Sequence, residues 1–219
     1  VNDAPVISAT TYTMTEIIED NPDNGSLISD ILSDPSLVYD DVDADESLNT
    51  YPGGLDTNEG LAVIGMNTEH GDWEYSINDG STWLTISSVS EDNAQLLYPD
   101  NRIRFNPDNN YNGNNRTFTF KAWDQSDDTQ NTSNDGGTYA FSNTTSVVTV
   151  NVQYENDAPV IVSNETVMLT DIQEDAFGNS GDQVSDLLLQ SNLSYFDIDQ
   201  DAELNQDDDA LDLNEGMAV

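Results

Sequence analysis

Cysteine is absent from the 219-residue chain, and histidine occurs once, at His70. Without thiols the protein can form neither a disulfide framework nor a thiolate metal site, and one imidazole cannot build a zinc cluster. The sequence also lacks a run of about 20 apolar residues, the length that a membrane-spanning helix needs. We therefore expect no disulfide, no zinc site and no direct membrane insertion.

Basic residues are scarce as well. Lys and Arg number 4 against 43 Asp and Glu, which gives a formal net charge of -39. Such a charge repels nucleic acid and anionic membrane surfaces, so we expect neither as a partner. Self-repulsion on this scale also opposes compaction. A divalent cation held by several carboxylates would neutralise it, and an all-oxygen ligand set indicates Ca2+ as the cofactor.

A catalytic constellation is also missing. The chain has no Cys, a single His and no GxSxG nucleophile motif. Paired carboxylates do serve glycoside hydrolysis, but such pairs carry no information in a chain this acidic. We expect that the protein is not an enzyme and that His70 is a solvated loop residue.

The chain does contain hydrophobic residues, 36% of the total, in short runs separated by turn signals such as Asn78-Asp79-Gly80. Runs with alternating, β-branched or aromatic residues occupy positions 6–14, 61–65, 73–77, 83–86, 95–98, 102–105, 117–123 and 146–152. Many short strands with turn punctuation predict an all-β fold of β-sandwich modules. Residues 29–33 and 185–190 are expected to be single helical turns or short strands.

The alternation of apolar and polar side chains is clearest in residues 117–123. Phe118, Phe120 and Ala122 fall on one face of a strand, while Thr119 and Lys121 fall on the other. This alternation is typical of a sheet with one buried face.

All four basic residues lie between Arg102 and Lys121. Alternation places Arg102 and Arg104 outward together, on either side of an inward Ile103. They could form a site for an anion or a sugar acid, or they could pair across strands with the surrounding carboxylates. The abundance of acidic residues favours pairing.

Several segments occur twice in the chain, which indicates tandem structural units. VNDAPV at residues 1–6 returns as ENDAPV at 155–160, YDDVDAD at 39–45 as YFDIDQD at 195–201, and LDTNEGLAV at 55–63 as LDLNEGMAV at 211–219. We expect one complete repeat at residues 1–154 and the N-terminal part of the next at 155–219, within a longer array. The alternative is a boundary near residue 63, which would give a small, a large and a small domain.

Three acidic patterns recur in both copies. They are the linker pairs Asn2-Asp3 and Asn156-Asp157, the pairs Glu19-Asp20 and Glu174-Asp175, and the alternating triplets Asp41, Asp43, Asp45 and Asp197, Asp199, Asp201. Carboxylates two residues apart in an extended segment converge on one side of the backbone, where they can share a calcium ion. An EF-hand loop is excluded because it needs Gly at its sixth and Glu at its twelfth position. We expect a site whose ligands come from separated segments.

The combination of these motifs resembles a known family. An NDAP linker, a Glu-Asp pair 17 residues later, an Asp-x-Asp element and Asp124 at the end of an aromatic strand are similar to the calcium sites of cadherin-like tandem repeats. Residues 102–113, the segment FTFKAWD and a Val-Thr-Val strand before ENDAPV resemble the C-terminal half of such repeats in bacterial surface adhesins. The resemblance implies immunoglobulin-like or cadherin-like β-sandwich modules in tandem.

The resemblance also implies where calcium binds. One junction site would comprise Asp124, Asn156, Asp157, Glu174, Asp175, Asp197 and Asp199, with Asp201 completing the triplet. The equivalent half-site at the start of the chain would comprise Asn2, Asp3, Glu19, Asp20, Asp41 and Asp43, with Asp45 completing the triplet.

The implied function is that of a calcium-stiffened spacer in an extracellular, cell-surface or secreted adhesion protein. Its partners would be neighbouring repeats of the same chain, with a cell-surface glycan or protein as a further partner of the whole adhesin. The alternative is a carbohydrate-binding or other ligand-binding module, in which Trp73, Trp83 and Trp123 stack on sugar rings. Because these Trp residues lie in or beside predicted strands, we favour packing roles for them.

Overall fold

Strands account for most of the regular structure in the described part of the chain. The computed structural model describes residues 2–8, 10–21, 23–42, 59–158, 160–161, 166–175, 177–188 and 195–196. Within these ranges the helices are α1 (Ile28–Leu32) and α2 (Val184–Leu188), which coincide with the two segments expected to be short turns. Neither helix is long or apolar enough to cross a bilayer. The all-β class predicted from the sequence is confirmed.

The chain divides into two units, Val1–Tyr154 and Glu155–Val219. The described strands of the first unit are β1 (Thr11–Thr13), β2 (Ile17–Ile18), β3 (Ser26–Leu27), β4 (Gly60–Met66), β5 (Gly71–Ser76), β6 (Leu84–Thr85), β7 (Gln95–Leu97), β8 (Arg102–Pro107), β9 (Gly113–Trp123) and β10 (Phe141–Gln153). In the second unit β11 (Val160–Ile161) pairs antiparallel with β12 (Tyr195–Phe196). Val63, near which the alternative boundary was expected, lies inside β4.

The first unit contains two sheets. The larger has the order β1-β10-β9-β4-β7, and β2 also pairs with β10. β1 and β2 run parallel to β10, whereas β10, β9, β4 and β7 are mutually antiparallel neighbours. The second sheet has the order β3-β8-β5-β6 and is antiparallel throughout. The expected turn at residues 78–80 joins β5 to β6, with Asp79 and Gly80 at positive φ angles of 56° and 82°.

One hydrophobic core contains side chains of both sheets. The Trp73 ring of β5 meets Phe118 of β9 edge-on, with centroids 4.9 Å apart, and Phe105 of β8 at 5.4 Å. Trp73 is fully buried, and its Nε1 donates a hydrogen bond to the Asn67 carbonyl at 3.1 Å. The packing role expected for Trp73 is confirmed.

A smaller cluster lies on the other face of the larger sheet. It comprises Ala62, Ala94, Trp123, Ala140 and Phe141. Two hydrogen bonds hold the segment that joins β9 to β10 beside this cluster. The Gln130 carbonyl accepts one from the Ala94 amide, and the Asp127 carbonyl accepts one from Trp123 Nε1, both at 2.8 Å. Trp123 therefore also has the expected packing role.

The alternation expected in β9 is confirmed for its core face, because Phe118, Phe120 and Ala122 are fully buried. Lys121 falls on the opposite face as expected, yet it is buried too. The reason is the β9–β10 segment, whose Thr132 carbonyl accepts a hydrogen bond from Lys121 Nζ.

Candidate metal centres

Four carboxylate side chains are buried among the described residues. They are Glu19, Asp41, Glu59 and Asp124, with exposed fractions of 2, 8, 3 and 9%. An ionised carboxylate loses hydration when it is buried, at a cost of several kcal/mol unless hydrogen bonds or a cation compensate it. These four residues are therefore the positions at which the fold concentrates negative charge away from water.

Asp124 is placed by β9, which ends at Trp123. Its Oδ1 accepts the Ser126 amide at 2.8 Å, and its Oδ2 accepts Asn2 Nδ2 at 2.9 Å. The Asn2 amide also reaches the Tyr139 carbonyl at 3.4 Å, just before β10 begins. The Asn of the first linker and the Asp that ends the aromatic strand thus lie together, as two members of one oxygen-rich group.

Asp41 and Glu59 lie at the same end of the larger sheet. Val6 and Asp40 form an antiparallel bridge, which brings the residue after Asp40 alongside the first linker. The Tyr39 hydroxyl donates to the Trp123 carbonyl at 3.3 Å. Gly60 pairs with Trp123 across β4 and β9, so Glu59 stands next to that strand end. We call this group, Asn2, Asp41, Glu59 and Asp124, the entry end.

Glu19 and Asp20 follow β2, which pairs with the last residues of β10. The Glu19 amide donates to the Gln153 carbonyl at 3.0 Å. Asp20 Oδ1 accepts the Asn110 amide at 2.9 Å, and Asn112 Nδ2 lies 3.5 Å from Glu19 Oε2. We call Glu19 and Asp20, with the loop that carries Asn110 and Asn112, the exit end.

The two ends are far apart. β10 has 13 residues, which at about 3.3 Å per residue separate its termini by about 40 Å. Trp123 pairs with Phe141 at the first terminus, and Ile17 pairs with Val152 at the last. The expected half-site that joins Glu19 and Asp20 to Asn2, Asp3 and Asp41 is therefore divided between the two ends.

The same geometry corrects the position expected for Asp124. Because β9 runs antiparallel to β10, Asp124 emerges at the entry end, whereas the chain leaves the first unit through Gln153 and Tyr154 at the exit end. Glu19, rather than Asp124, is the buried carboxylate beside the strand that precedes Asn156 and Asp157.

The remaining expected ligands have simpler positions. Asp3, Asn156, Glu174 and Asp175 are exposed, and Asn156 Nδ2 donates to the Asp157 carbonyl at 2.7 Å. Asp43, Asp45, Asp197, Asp199 and Asp201 lie outside the described residues. Within the described ranges no three Asp, Glu or His side chains stand close enough to hold a metal by themselves.

The donor chemistry of both ends fits calcium. Every candidate side chain is a carboxylate or a carboxamide, and calcium takes six to eight such oxygens in a flexible arrangement. Asp41 is the first member of the Asp41, Asp43, Asp45 triplet, of which Asp43 and Asp45 lie outside the described residues.

The four basic side chains make ion pairs with other acidic residues. Arg104 contacts Glu74 at 2.7 Å, directly opposite it on β5, and its guanidinium lies 4.1 Å from the centre of the Trp83 ring. Arg102 contacts Asp79 at 2.6 Å. The pairing favoured for both arginines is confirmed. The remaining contacts are Arg116 with Glu69 at 4.0 Å and Lys121 with Asp135 at 2.5 Å and Glu91 at 3.8 Å.

Sequence reasoning missed Glu59 as a candidate ligand. The available signal was the recurrence of Asn-Glu-Gly, at residues 58–60 and again at 214–216, within the repeated LDxNEGxAV segment. His70 is exposed in the loop between β4 and β5, as expected, and its ring stacks on Tyr111 with centroids 4.5 Å apart.

Comparison of the chain with protein-family models, with curated proteins and with solved structures finds no match.

Proposed function

We propose that the first unit is a β-sandwich module of a calcium-stabilised tandem repeat in an extracellular or cell-surface adhesion protein. The observation that supports this function is the presence of buried carboxylates at both ends of one sheet, about 40 Å apart. A module with oxygen ligands at both ends can share one ion with the repeat before it and another with the repeat after it. Calcium held in this way stiffens each junction, so an array of modules acts as a spacer.

We assign ligands to such ions separately for the two ends of the first unit. At the entry end we assign Asn2, Asp41, Glu59 and Asp124, which would have to close on the ion, since no three acidic side chains of the described residues stand close enough to hold a metal by themselves. Bound calcium would supply the positive charge that a chain with 43 acidic and 4 basic residues lacks.

At the exit end we assign Glu19 and Asp20, which lie beside the strand that leads to Asn156 and Asp157. The loop that carries Asn110 and Asn112 contacts these carboxylates through the Asn110 amide and Asn112 Nδ2, so we propose that the Asn112 side chain can turn its amide oxygen toward the ion.

Metal analysis and thermal unfolding of the full 219-residue chain test the proposal. We expect calcium to copurify or bind at millimolar concentration, and we expect a chelator to lower Tm because calcium binds the folded carboxylates and not the unfolded chain. Magnesium at equal ionic strength is the control for charge screening. An unchanged Tm in excess chelator, with no bound calcium, would refute the calcium role.

The described residues favour a spacer over a carbohydrate-binding module. Trp73 is fully buried and Trp123 is 1% exposed, so neither ring can stack on a sugar. Trp83 is half-buried, and the guanidinium of Arg104 covers its ring.

A further inference from the structure

The chain has a single lysine, Lys121, and it is the most buried basic residue. The exposed fraction of its side chain is 3%, compared with 23, 15 and 14% for Arg102, Arg104 and Arg116. Arginine suits a static ion pair best, because it stays charged and binds a carboxylate through a planar fork. A desolvated amine, in contrast, can give up a proton and act as a nucleophile. The one basic position with this chemistry is thus also the one that is shielded from water.

Two carboxylates meet the Lys121 amine. Asp135 Oδ2 is 2.5 Å from Nζ, and Glu91 Oε1 is 3.8 Å from it. The Thr132 carbonyl also accepts a hydrogen bond from Nζ at 2.9 Å. On the sheet side Lys121 is the β-partner of buried Ala62. An amine, a carboxylate in contact with it and a second carboxylate that can carry a proton therefore lie together; the exposed fraction of the side chain is 3% for Lys121, 31% for Asp135 and 60% for Glu91.

We propose that Lys121 and Asp135 condense to form an intramolecular isopeptide bond. A proton first passes from Nζ to Asp135 Oδ2, which turns the ion pair into a neutral amine and a carboxylic acid. Nζ then adds to Cγ of Asp135, and Glu91 accepts a second proton from Nζ. Glu91 returns this proton to the departing hydroxyl, so the Cγ–O bond breaks and water leaves. The products are one amide and one water, and Glu91 is again a carboxylate.

The bond would fasten the β9–β10 segment to the sheet. Lys121 and Asp135 are separated by 14 residues, and within the segment between them the Gln130 carbonyl accepts a hydrogen bond from the Ala94 amide at 2.8 Å. A covalent link restricts the unfolded chain as a disulfide does. In a chain without cysteine it supplies the cross-link that thiols cannot.

Intact-mass spectrometry of the denatured chain tests the proposal. We expect the wild-type mass to be lower than the sequence mass by one water, and a digest to yield a branched peptide that joins Lys121 to Asp135. Lys121→Arg keeps the positive charge and should have its full sequence mass. Asp135→Asn should lose one ammonia instead of one water, and Glu91→Gln should slow formation. A wild-type mass equal to the sequence mass after prolonged incubation would overturn the proposal.

A second route to water loss has a distinct signature. Asp135 precedes Gly136, and an Asp-Gly pair can cyclise to a succinimide with the same change in mass. A succinimide would persist in Lys121→Arg and would give a linear peptide. Water loss that survives this substitution would therefore also overturn the isopeptide proposal.

Discussion

The separation of the two candidate metal centres predicts additive effects on stability. We consider Asp124→Asn at the entry end and Glu19→Gln at the exit end. Each substitution removes one buried negative charge and keeps the size of the side chain. At Asp124 the Asn side chain keeps the oxygen that accepts the Ser126 amide but loses the oxygen that accepts Asn2 Nδ2. The calcium-dependent part of the stability change therefore measures the loss of calcium affinity at the altered end.

The expected loss of stability at each end can be calculated from the free energy that bound calcium adds to the folded state. At free calcium 100 times its Kd, one site stabilises the folded state by about 2.7 kcal/mol. For a chain of this size 1 kcal/mol corresponds to about 2–4 °C in Tm, so each intact site contributes about 5–11 °C. Because the ends lie about 40 Å apart and share no ligand, the two losses should add to within about 0.5 kcal/mol in the double variant.

The assay is thermal unfolding of the wild type, both single variants and the double variant, with saturating calcium and with chelator. The difference between the two conditions cancels effects that are independent of calcium. Asp128→Asn is the matched control, since Asp128 is exposed and lies four residues after Asp124. If the double variant loses no more calcium-dependent stability than one single variant, both residues serve a single site and the two-end reasoning fails.

Two further predictions concern stability and ionisation. Trp73→Ala should lower the free energy of unfolding by about 3–5 kcal/mol, because a large buried ring leaves a cavity; urea denaturation measures it, and a smaller loss than in Trp83→Ala would contradict the packing. The Ser36 hydroxyl, with its backbone amide, lowers the pKa of the Asp34 carboxyl through hydrogen bonds. Ser36→Ala should raise that pKa in a carboxyl NMR titration. Since the folded pKa lies below the unfolded one, the contact stabilises the fold above the unfolded pKa and is lost as pH falls through the folded pKa; an unchanged titration would contradict the contact.

Local pattern was enough to predict the strands with strong alternation. Phe118 and Phe120 identify the core face of β9 from the sequence alone. Side chains alternate between the two faces of a strand, so once one apolar residue is assigned to the core the face of every other residue is fixed. Residues 6–14 show the limit of this reasoning. They were expected as one strand, but Val6 bridges to Asp40 whereas Thr11–Thr13 pair with β10. The alternation within a segment does not reveal that its pairing partner changes along the way.

The sequence predicts which residues are candidate ligands, but it does not predict which of them lie close together. Recurrence of the motifs selects Glu19 and Asp41, yet strand order and direction decide which carboxylates lie at the same end of the larger sheet. Asp124 belongs to the entry end only because β9 is antiparallel to β10. The burial of Lys121 was missed because the β9–β10 segment folds back over a face of β9 that alternation alone assigns to solvent.

A recurring motif has a different environment in the two units of the chain. Residues 11–20 of the first copy correspond to residues 166–175 of the second. Met14 and Ile17 are each 3% exposed, whereas their counterparts Leu169 and Ile172 are each 65% exposed. Met14 and Ile17 are buried where β10 runs alongside, since Met14 donates its amide to Thr149 and Ile17 pairs with Val152. The burial of Glu19 likewise depends on β10, so the Glu-Asp motif alone does not create the exit end; it requires the strand that closes the module.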